Sequence, residues 1–475
     1  MEYTELSAYD VPPGVVATWM PSAPDEAWRD DPRGLSPNHE QHLAASEDGS
    51  WIGCIMRLPA PLDADALRVA LRAWTARHES LRSTVVPGRG DQWQRRLLPA
   101  EAIAVETRDL GRRSGEEAQA LIADTLATVG PIGWPHCLFV TVAEPDAEEF
   151  VLAFGADHSV MDAYSQLLWF DEIAGLYERA LAGEGPAELD AVEVGSHLDH
   201  AHAERTHAET LTADAEPVER WRAFLGGDEP GASLRFPTFP VADVAQPVGH
   251  HDGVRTERGR LKQAGLATWL ADADQTAVLN GLCRSAGTSL QSGVLAAMAH
   301  AFREVHGVER TRFVLPMHTR FSPEHATAIG WYVGLAPVDL DLAGAATLPE
   351  IVGRVHAAVA AGKDLVPHPF AQVGRLLGTD AAPHFAVSYV DSRFVPGADR
   401  WDEWQGRALR SPAYADDEVY LWFGRTHDGL NLSARYPETI TAERAMRDLI
   451  GGITDVIEAV TRPHLAAGTT LETTA

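Results

Sequence analysis

His158 and Asp162 stand four residues apart in the run Asp157-His158-Ser159-Val160-Met161-Asp162-Ala163. An imidazole lies near its pKa at neutral pH, so it can take a proton from a hydroxyl or an amine. A carboxylate one loop later could fix the orientation of that ring, or hold the loop by pairing with an arginine. The place in the chain suits a base. Phe150 to Phe154 reads as a compact apolar strand, and after Tyr164 comes a helix with Trp169, Ile173, Leu176, Tyr177 and Ala180 on one face. His158 therefore falls where a buried strand ends and a helix is about to begin. Alone, an HxxxD spacing specifies little, and its neighbours must carry the argument.

Other chemistries lack their residues. There is no GxSxG elbow for a serine hydrolase, no GxxxxGK[ST] loop for a nucleotide-driven ligase and no GxGxxG after a strand for a dinucleotide. Cys54, Cys137 and Cys283 are widely spaced and sit in apolar contexts, so they read as buried hydrophobes rather than a disulfide or zinc framework. Residues 183–218 are polar and histidine-rich. With no HExxH or carboxylate pattern beside His197, His200, His202 and His207, that stretch reads as a solvated helix at a boundary or crossover, and no metal is expected. Arg95-Arg96 and Arg112-Arg113 could meet a phosphate but read better as solvated surface, and His250-His251 as a surface turn.

The elements that must position His158 belong to a large α/β chain. Its 475 residues suggest two or three domains at ~100–200 residues each. With 68 acidic against 39 basic residues the net charge is −29, which repels phosphate backbones and anionic headgroups and argues against a nucleic-acid partner. No run of 18 or more apolar residues occurs, so no membrane span is expected, and the N-terminus lacks a secretory pattern. A cytoplasmic enzyme is the expectation. Helical and strand periods alternate along the chain. A helix from Asp63 carries Leu67, Leu71, Trp74 and His78 on one face, with Asp63 as its N-cap. The second half restarts the alternation: a helix over Thr288 to Val305, strands at Arg312 to Pro316, Val333 to Leu342, Phe385 to Val390 and Asn431 to Tyr436, and a final helix from about Thr441.

Several short motifs then fall in a meaningful order. Arg77-His78-Glu79-Ser80-Leu81-Arg82-Ser83 looks like RHExLRT, Asp157 to Ala163 like HHxxxDG, and Ile329-Gly330-Trp331-Tyr332-Val333-Gly334 like IGxFVN. Pro367-His368-Pro369-Phe370 and Ser388-Tyr389-Val390-Asp391 fall where a Pro-Phe motif and a channel-facing strand follow. On these residues the chain resembles the condensation-domain-like superfamily, which includes chloramphenicol acetyltransferase and the condensation domains of nonribosomal peptide synthetases. The N-terminal stretches Pro13-Gly14, Thr18 to Ser22 and Leu35 to Leu43 look like the polyketide-associated acyltransferases of actinobacteria. Two positions depart from the pattern: Asp157 stands for the motif's first histidine, and Ala163 for its glycine. If position 163 needed a positive φ, alanine would be strained there.

The resemblance implies two chloramphenicol-acetyltransferase-like lobes, each a mixed β-sheet with helices, arranged as a V around a central channel. Residues 1–215 would form the lobe carrying HxxxD, and 216–475 the lobe completing the channel. His158 would be the general base. Asp162 would be structural, paired with Arg320 as first candidate or Arg82 as second, because a buried carboxylate needs a partner. Asp157, Ser159, Gly330, Trp331, Ser388 and Tyr389 would line the channel, with Ser388 and the Gly330-Trp331 turn steadying the oxyanion. The implied function is a free-standing acyltransferase of secondary-metabolite or lipid biosynthesis. It would join an acyl thioester, on CoA or on an acyl or peptidyl carrier protein, to a small hydroxyl acceptor, with no cofactor beyond the thioester substrate. Amide formation with an amine acceptor, and a catalytically silent docking module for a carrier protein, are the alternatives.

Overall fold

The fold was analysed in a computed structural model, which describes residues 3–45, 51–88, 90, 92–190, 193–227, 233–241 and 260–466. Two large sheets divide the chain. The first has seven strands in the order Tyr3–Thr4, Arg407–Arg410, Trp51–Leu58, Phe150–Asp157, Cys137–Ala143, Gly14–Ser22 and Ala104–Arg113. The second has six, in the order Gln263–Asp272, Gly429–Pro437, Val419–Arg425, Phe385–Asp391, Arg310–His318 and Val333–Asp341. Both mix parallel and antiparallel neighbours. A small sheet of Arg29–Asp31, Trp93–Leu97 and Ser83–Pro87 flanks the first lobe.

The strand that leads to His158 is buried on both faces, which is why its sequence is apolar throughout rather than alternating. Phe150, Leu152, Phe154 and Ala156 pack in one core with Leu67, Leu71 and Trp74 of the helix Ala64–Arg77 and Trp169 and Ile173 of the helix Ala163–Leu181. Val151 and Ala153 point to the other core, against Ile122 and Leu126 of the helix Gly115–Leu126. Asp63 caps its helix, accepting from the N–H groups of Asp65 and Ala66 at 2.9 Å. In the second lobe, Leu290–His306 and Ile440–Ala466 cover one face of the six-stranded sheet, and Trp221, Phe236 and Phe370 cover the other.

The first sheet is completed from the far half of the chain. Arg407–Arg410, expected within the second lobe, pairs with Trp51–Leu58 and so closes an edge that would otherwise present unpaired backbone groups. Tyr3–Thr4 then pairs with Arg407–Arg410. Gln166 pins this junction, its Nε2 donating to the carbonyls of Gly53 at 2.7 Å and Leu409 at 2.9 Å. Cys54, Cys137 and Cys283 are buried free thiols. No helix among the described residues is long and apolar enough to cross a membrane. His250 and His251 lie outside the described residues.

Removal of the Asp63 cap leaves two helix N–H groups without their acceptor. Asp63→Ala is expected to lower stability by ~1 kcal/mol, read from the midpoint of urea unfolding with an unchanged slope.

Candidate active site

The site is built where the two lobes meet. Its base is the segment Ile329 to Tyr332, which precedes the strand Val333–Asp341 and belongs to no helix or strand. Such a segment needs hydrogen-bond partners if it is to be buried. Side chains from the first half supply one acceptor for each of four consecutive N–H groups. Ile329 donates to Nδ1 of His78 at 3.3 Å, Gly330 to Oγ of Ser165 at 3.2 Å, Trp331 to Nε2 of His197 at 3.1 Å and Tyr332 to Oδ2 of Asp162 at 2.9 Å. Carbonyls are met as well, that of Ile329 by Ser80 Oγ at 2.8 Å and that of Gly330 by Ser165 Oγ at 3.0 Å. The segments 77–83 and 329–334, separate motifs in the sequence, are thus two halves of one contact. Glycine is required at 330 by close approach, since a Cβ there would lie 2.4 Å from the His197 ring.

Asp162 is the hub of this seam. It is 1% exposed and caps the helix Ala163–Leu181, its Oδ1 accepting from the Ser165 N–H at 2.7 Å. Arg320 completes its surroundings, with Nη2 at 3.2 and 3.3 Å from the two carboxylate oxygens and 2.8 Å from Ser165 Oγ. The same guanidinium donates to the carbonyls of His325 and Ala328 at 2.6 Å and lies 4.1 Å from the centre of the Tyr332 ring. Burial alone would raise the Asp162 pKa, but the Arg320 charge and the N–H groups of Ser165 and Tyr332 hold it below the ordinary aspartate value. Arg82, the second candidate partner, turns elsewhere: its guanidinium donates to the carbonyls of Ala76 and Leu98. It braces the end of the 77–83 motif and does not reach Asp162. Ala163 begins the helix, and among the described residues the positive φ values outside glycine are at Asp146 and Gln405, so alanine carries no strain at 163.

His158 follows the strand Phe150–Asp157 immediately and is half-buried. Its Nδ1 is enclosed with no well-formed hydrogen bond, which leaves Nε2 as the nitrogen available to a substrate. Burial, then the neighbouring His42, push its pKa below the ordinary 6.5, so the ring is neutral near pH 7. The indole of Trp331 lies 4.8 Å from the His158 ring and 5.5 Å from that of His42, and the two imidazoles are 6.5 Å apart. Asp157 is 1% exposed and hydrogen-bonds His42 and the Ser159 N–H; Ser159 is itself 2% exposed.

Several expected roles change with these contacts. The N–H groups of Gly330 and Trp331 are already taken by Ser165 and His197, so that turn cannot steady an oxyanion. Ser388 and Tyr389 lie on the strand Phe385–Asp391, both half-buried, and neither contacts His158 by a hydrogen bond or ring contact among the described residues. The Ser388 hydroxyl has no hydrogen-bond partner among them. The histidine-rich stretch is not simply a solvated helix. His197 is 6% exposed, is pushed down to about 3 by burial and then by the charges of His200 and Arg95, and holds Trp331; His200 reaches Thr319 at 3.1 Å. Arg95, read as surface, is 4% exposed with no carboxylate in ion-pair range among the described residues, and burial drops its pKa to about 10. His42 was not singled out by spacing at all. It sits in Pro37–Ala45, 115 residues from its partner Asp157.

Loss of Arg320 strands Asp162 in the seam. Arg320→Met is expected to cost ~3–5 kcal/mol in denaturant unfolding, with Arg320→Lys recovering only part, because one ammonium cannot serve the carboxylate, Ser165 and two carbonyls together. The stabilisation from Asp162 is present above the ordinary aspartate pKa and is lost as pH falls through its lowered value. The acid-unfolding midpoint of Arg320→Met should therefore move to higher pH.

Comparison with known proteins agrees with this architecture. Residues 41–385 match the sequence model of the condensation domain. The trehalose-2-sulfate acyltransferase PapA2 of Mycobacterium tuberculosis is 23% identical over 472 residues, spanning 95% of this chain and 96% of that protein. Acyltransferase PapA3 of the same organism is 26% identical over 344 residues, 71% of this chain and 68% of its own length. The solved structure of a PapA2 acyl transferase superposes with a TM-score of 0.82 at 20% identity, over 97% of this chain and 100% of that one. With its two lobes, its ordered motifs and a family match across most of its length, the chain belongs to the condensation-domain family, whose members transfer acyl groups.

Proposed function

We propose that the chain forms an ester by moving an acyl group from a thioester to a hydroxyl of a small acceptor, with His158 as general base. One observation carries this reading: a neutral, half-buried imidazole whose Nδ1 is enclosed, standing at the lobe seam beside the half-buried Trp331. Nε2 of His158 takes the acceptor proton as the oxygen attacks the thioester carbonyl. The C–O bond forms, the C–S bond breaks, and the proton passes from the imidazolium to the departing thiolate. A thioester is already activated, so no covalent enzyme intermediate and no cofactor are needed. Much of the acceleration comes from holding donor and acceptor in line. The Ser388 hydroxyl, which no protein group engages among the described residues, remains the candidate donor to the oxyanion.

Ester formation is favoured over amide formation by PapA2, a relative that spans 95% of this chain and is named for a hydroxyl-rich sugar, trehalose-2-sulfate. The donor handle is CoA or a carrier-protein phosphopantetheine. The net charge of −29 disfavours any phosphate-bearing donor until basic side chains answer it locally.

The reading is tested by mass spectrometry of products from a panel of acyl-CoA and acyl-carrier donors with hydroxyl and amine acceptors. Ester products are expected, and His158→Ala should lower kcat/KM by ~10²–10⁴-fold. A base must be unprotonated, so the acid limb of the pH profile should fall below 6.5, following the lowered pKa of His158. Full turnover by His158→Ala would overturn the assignment, and amide products alone would overturn the acceptor class.

A further inference from the structure

Asp157, one of the two residues that depart from the family motif, has a partner from elsewhere in the chain. Asp157 is 1% exposed, and its Oδ1 accepts from the Ser159 N–H at 2.8 Å and from Nε2 of His42 at 3.1 Å. Burial opposes ionisation of this carboxyl, but the hydrogen bond and attraction from His42 outweigh it and hold the group at about 2. An ionised carboxylate can only accept, so the hydrogen in the contact belongs to His42 and sits on Nε2. A neutral ring with its hydrogen there carries its lone pair on Nδ1. That nitrogen is not enclosed and has no hydrogen-bond partner among the described residues, and the His42 side chain keeps 16% of its surface.

Two imidazoles therefore share one aromatic wall. Trp331 meets His158 at 4.8 Å and His42 edge-on at 5.5 Å, while the imidazoles stand 6.5 Å apart. A hydroxyl ~2.8 Å from His158, a second ~2.8 Å beyond it and a further ~2.8 Å to His42 make a bent path long enough to bridge that gap. A molecule with neighbouring hydroxyls can engage both rings while its carbon skeleton lies on the indole. A mono-alcohol of equal size can engage only one.

We propose that His42, set by Asp157, is an acceptor-positioning residue that selects polyhydroxylated acceptors, its Nδ1 accepting from the hydroxyl beside the one that His158 deprotonates. This rests on the ester-forming reading and adds the acceptor class. No proton is transferred at His42; its lone pair only orients. Asp157 thus keeps a use for the motif position where a histidine is usual, by directing a histidine from the helix Pro37–Ala45.

The test compares matched acceptors, 1,2-hexanediol against 1-hexanol and glycerol against 1-propanol, with octanoyl-CoA as donor and the full chain as catalyst. The wild-type protein should favour the diol or triol in kcat/KM. His42→Ala should lose about tenfold of that preference, through KM rather than kcat. His42→Phe, which keeps a ring against Trp331 but has no lone pair, should lose as much. Asp157→Asn, which frees the ring to place its hydrogen on either nitrogen, should lose part. His42→Gln, whose carbonyl can accept, should recover part. An unchanged preference in His42→Phe, an equal fall for both acceptor types, or no wild-type preference would overturn the proposal while leaving ester formation standing. A protein that makes no ester from any pair overturns both.

Discussion

Four backbone N–H groups in succession, from Ile329 to Tyr332, have no ladder to join, and each is answered by a side chain from the other lobe. A buried N–H left without an acceptor costs ~1–3 kcal/mol. The lobes cannot separate here without exposing all four, together with the Asp162 carboxylate and the Arg320 guanidinium that neutralises it. That requirement sets the spacing of nearly everything else. It fixes the start of the helix Ala163–Leu181 through Asp162 and Ser165, the end of Ala64–Arg77 through His78, and the docking of His197–Ala208 through His197. The indole of Trp331 is aimed by the backbone these groups hold.

The division of labour within the motif follows. Asp162 is fully engaged, with donors on both oxygens and its charge met by Arg320. His158, four residues earlier, is the opposite: one nitrogen enclosed, the other unclaimed, and a pKa lowered by burial and by His42. Around Asp162 the donors and acceptors are engaged, while His158 is left free. The same contrast appears at Asp157, whose Oδ1 is doubly bonded while its partner His42 keeps a nitrogen open. The backbone N–H groups of the seam all find side-chain acceptors, whereas His158 and His42 each keep a nitrogen without a partner among the described residues.

Much of this was legible in the residues. The apolar run ending at His158, the helix behind it and the Asp63 cap follow from periodicity and capping chemistry; the cost of a buried charge calls for an arginine beside Asp162, and the family resemblance put Arg320 first and Arg82 second. Other features leave no local trace. His42 meets Asp157 across 115 residues and His197 meets Trp331 across 134, separations that no helical or strand period encodes. The helix His197–Ala208 buries only His197, Leu198, Ala201 and Ala208, a face too polar to announce itself as a seam. Gly330 and Trp331 looked like free donors because sequence alone cannot show that Ser165 and His197 have already claimed them. Arg95 looked like surface because charge in a strand usually is.

The strand Arg407–Arg410 has a consequence for biosynthesis. Until it emerges from the ribosome, Trp51–Leu58 waits with one edge bare, for roughly 350 residues of translation. At about 5–20 residues per second that is tens of seconds. An apolar edge open for so long invites pairing with a neighbouring nascent chain. Slow or crowded synthesis should therefore burden this protein through its first sheet, well before its second lobe exists to be misfolded.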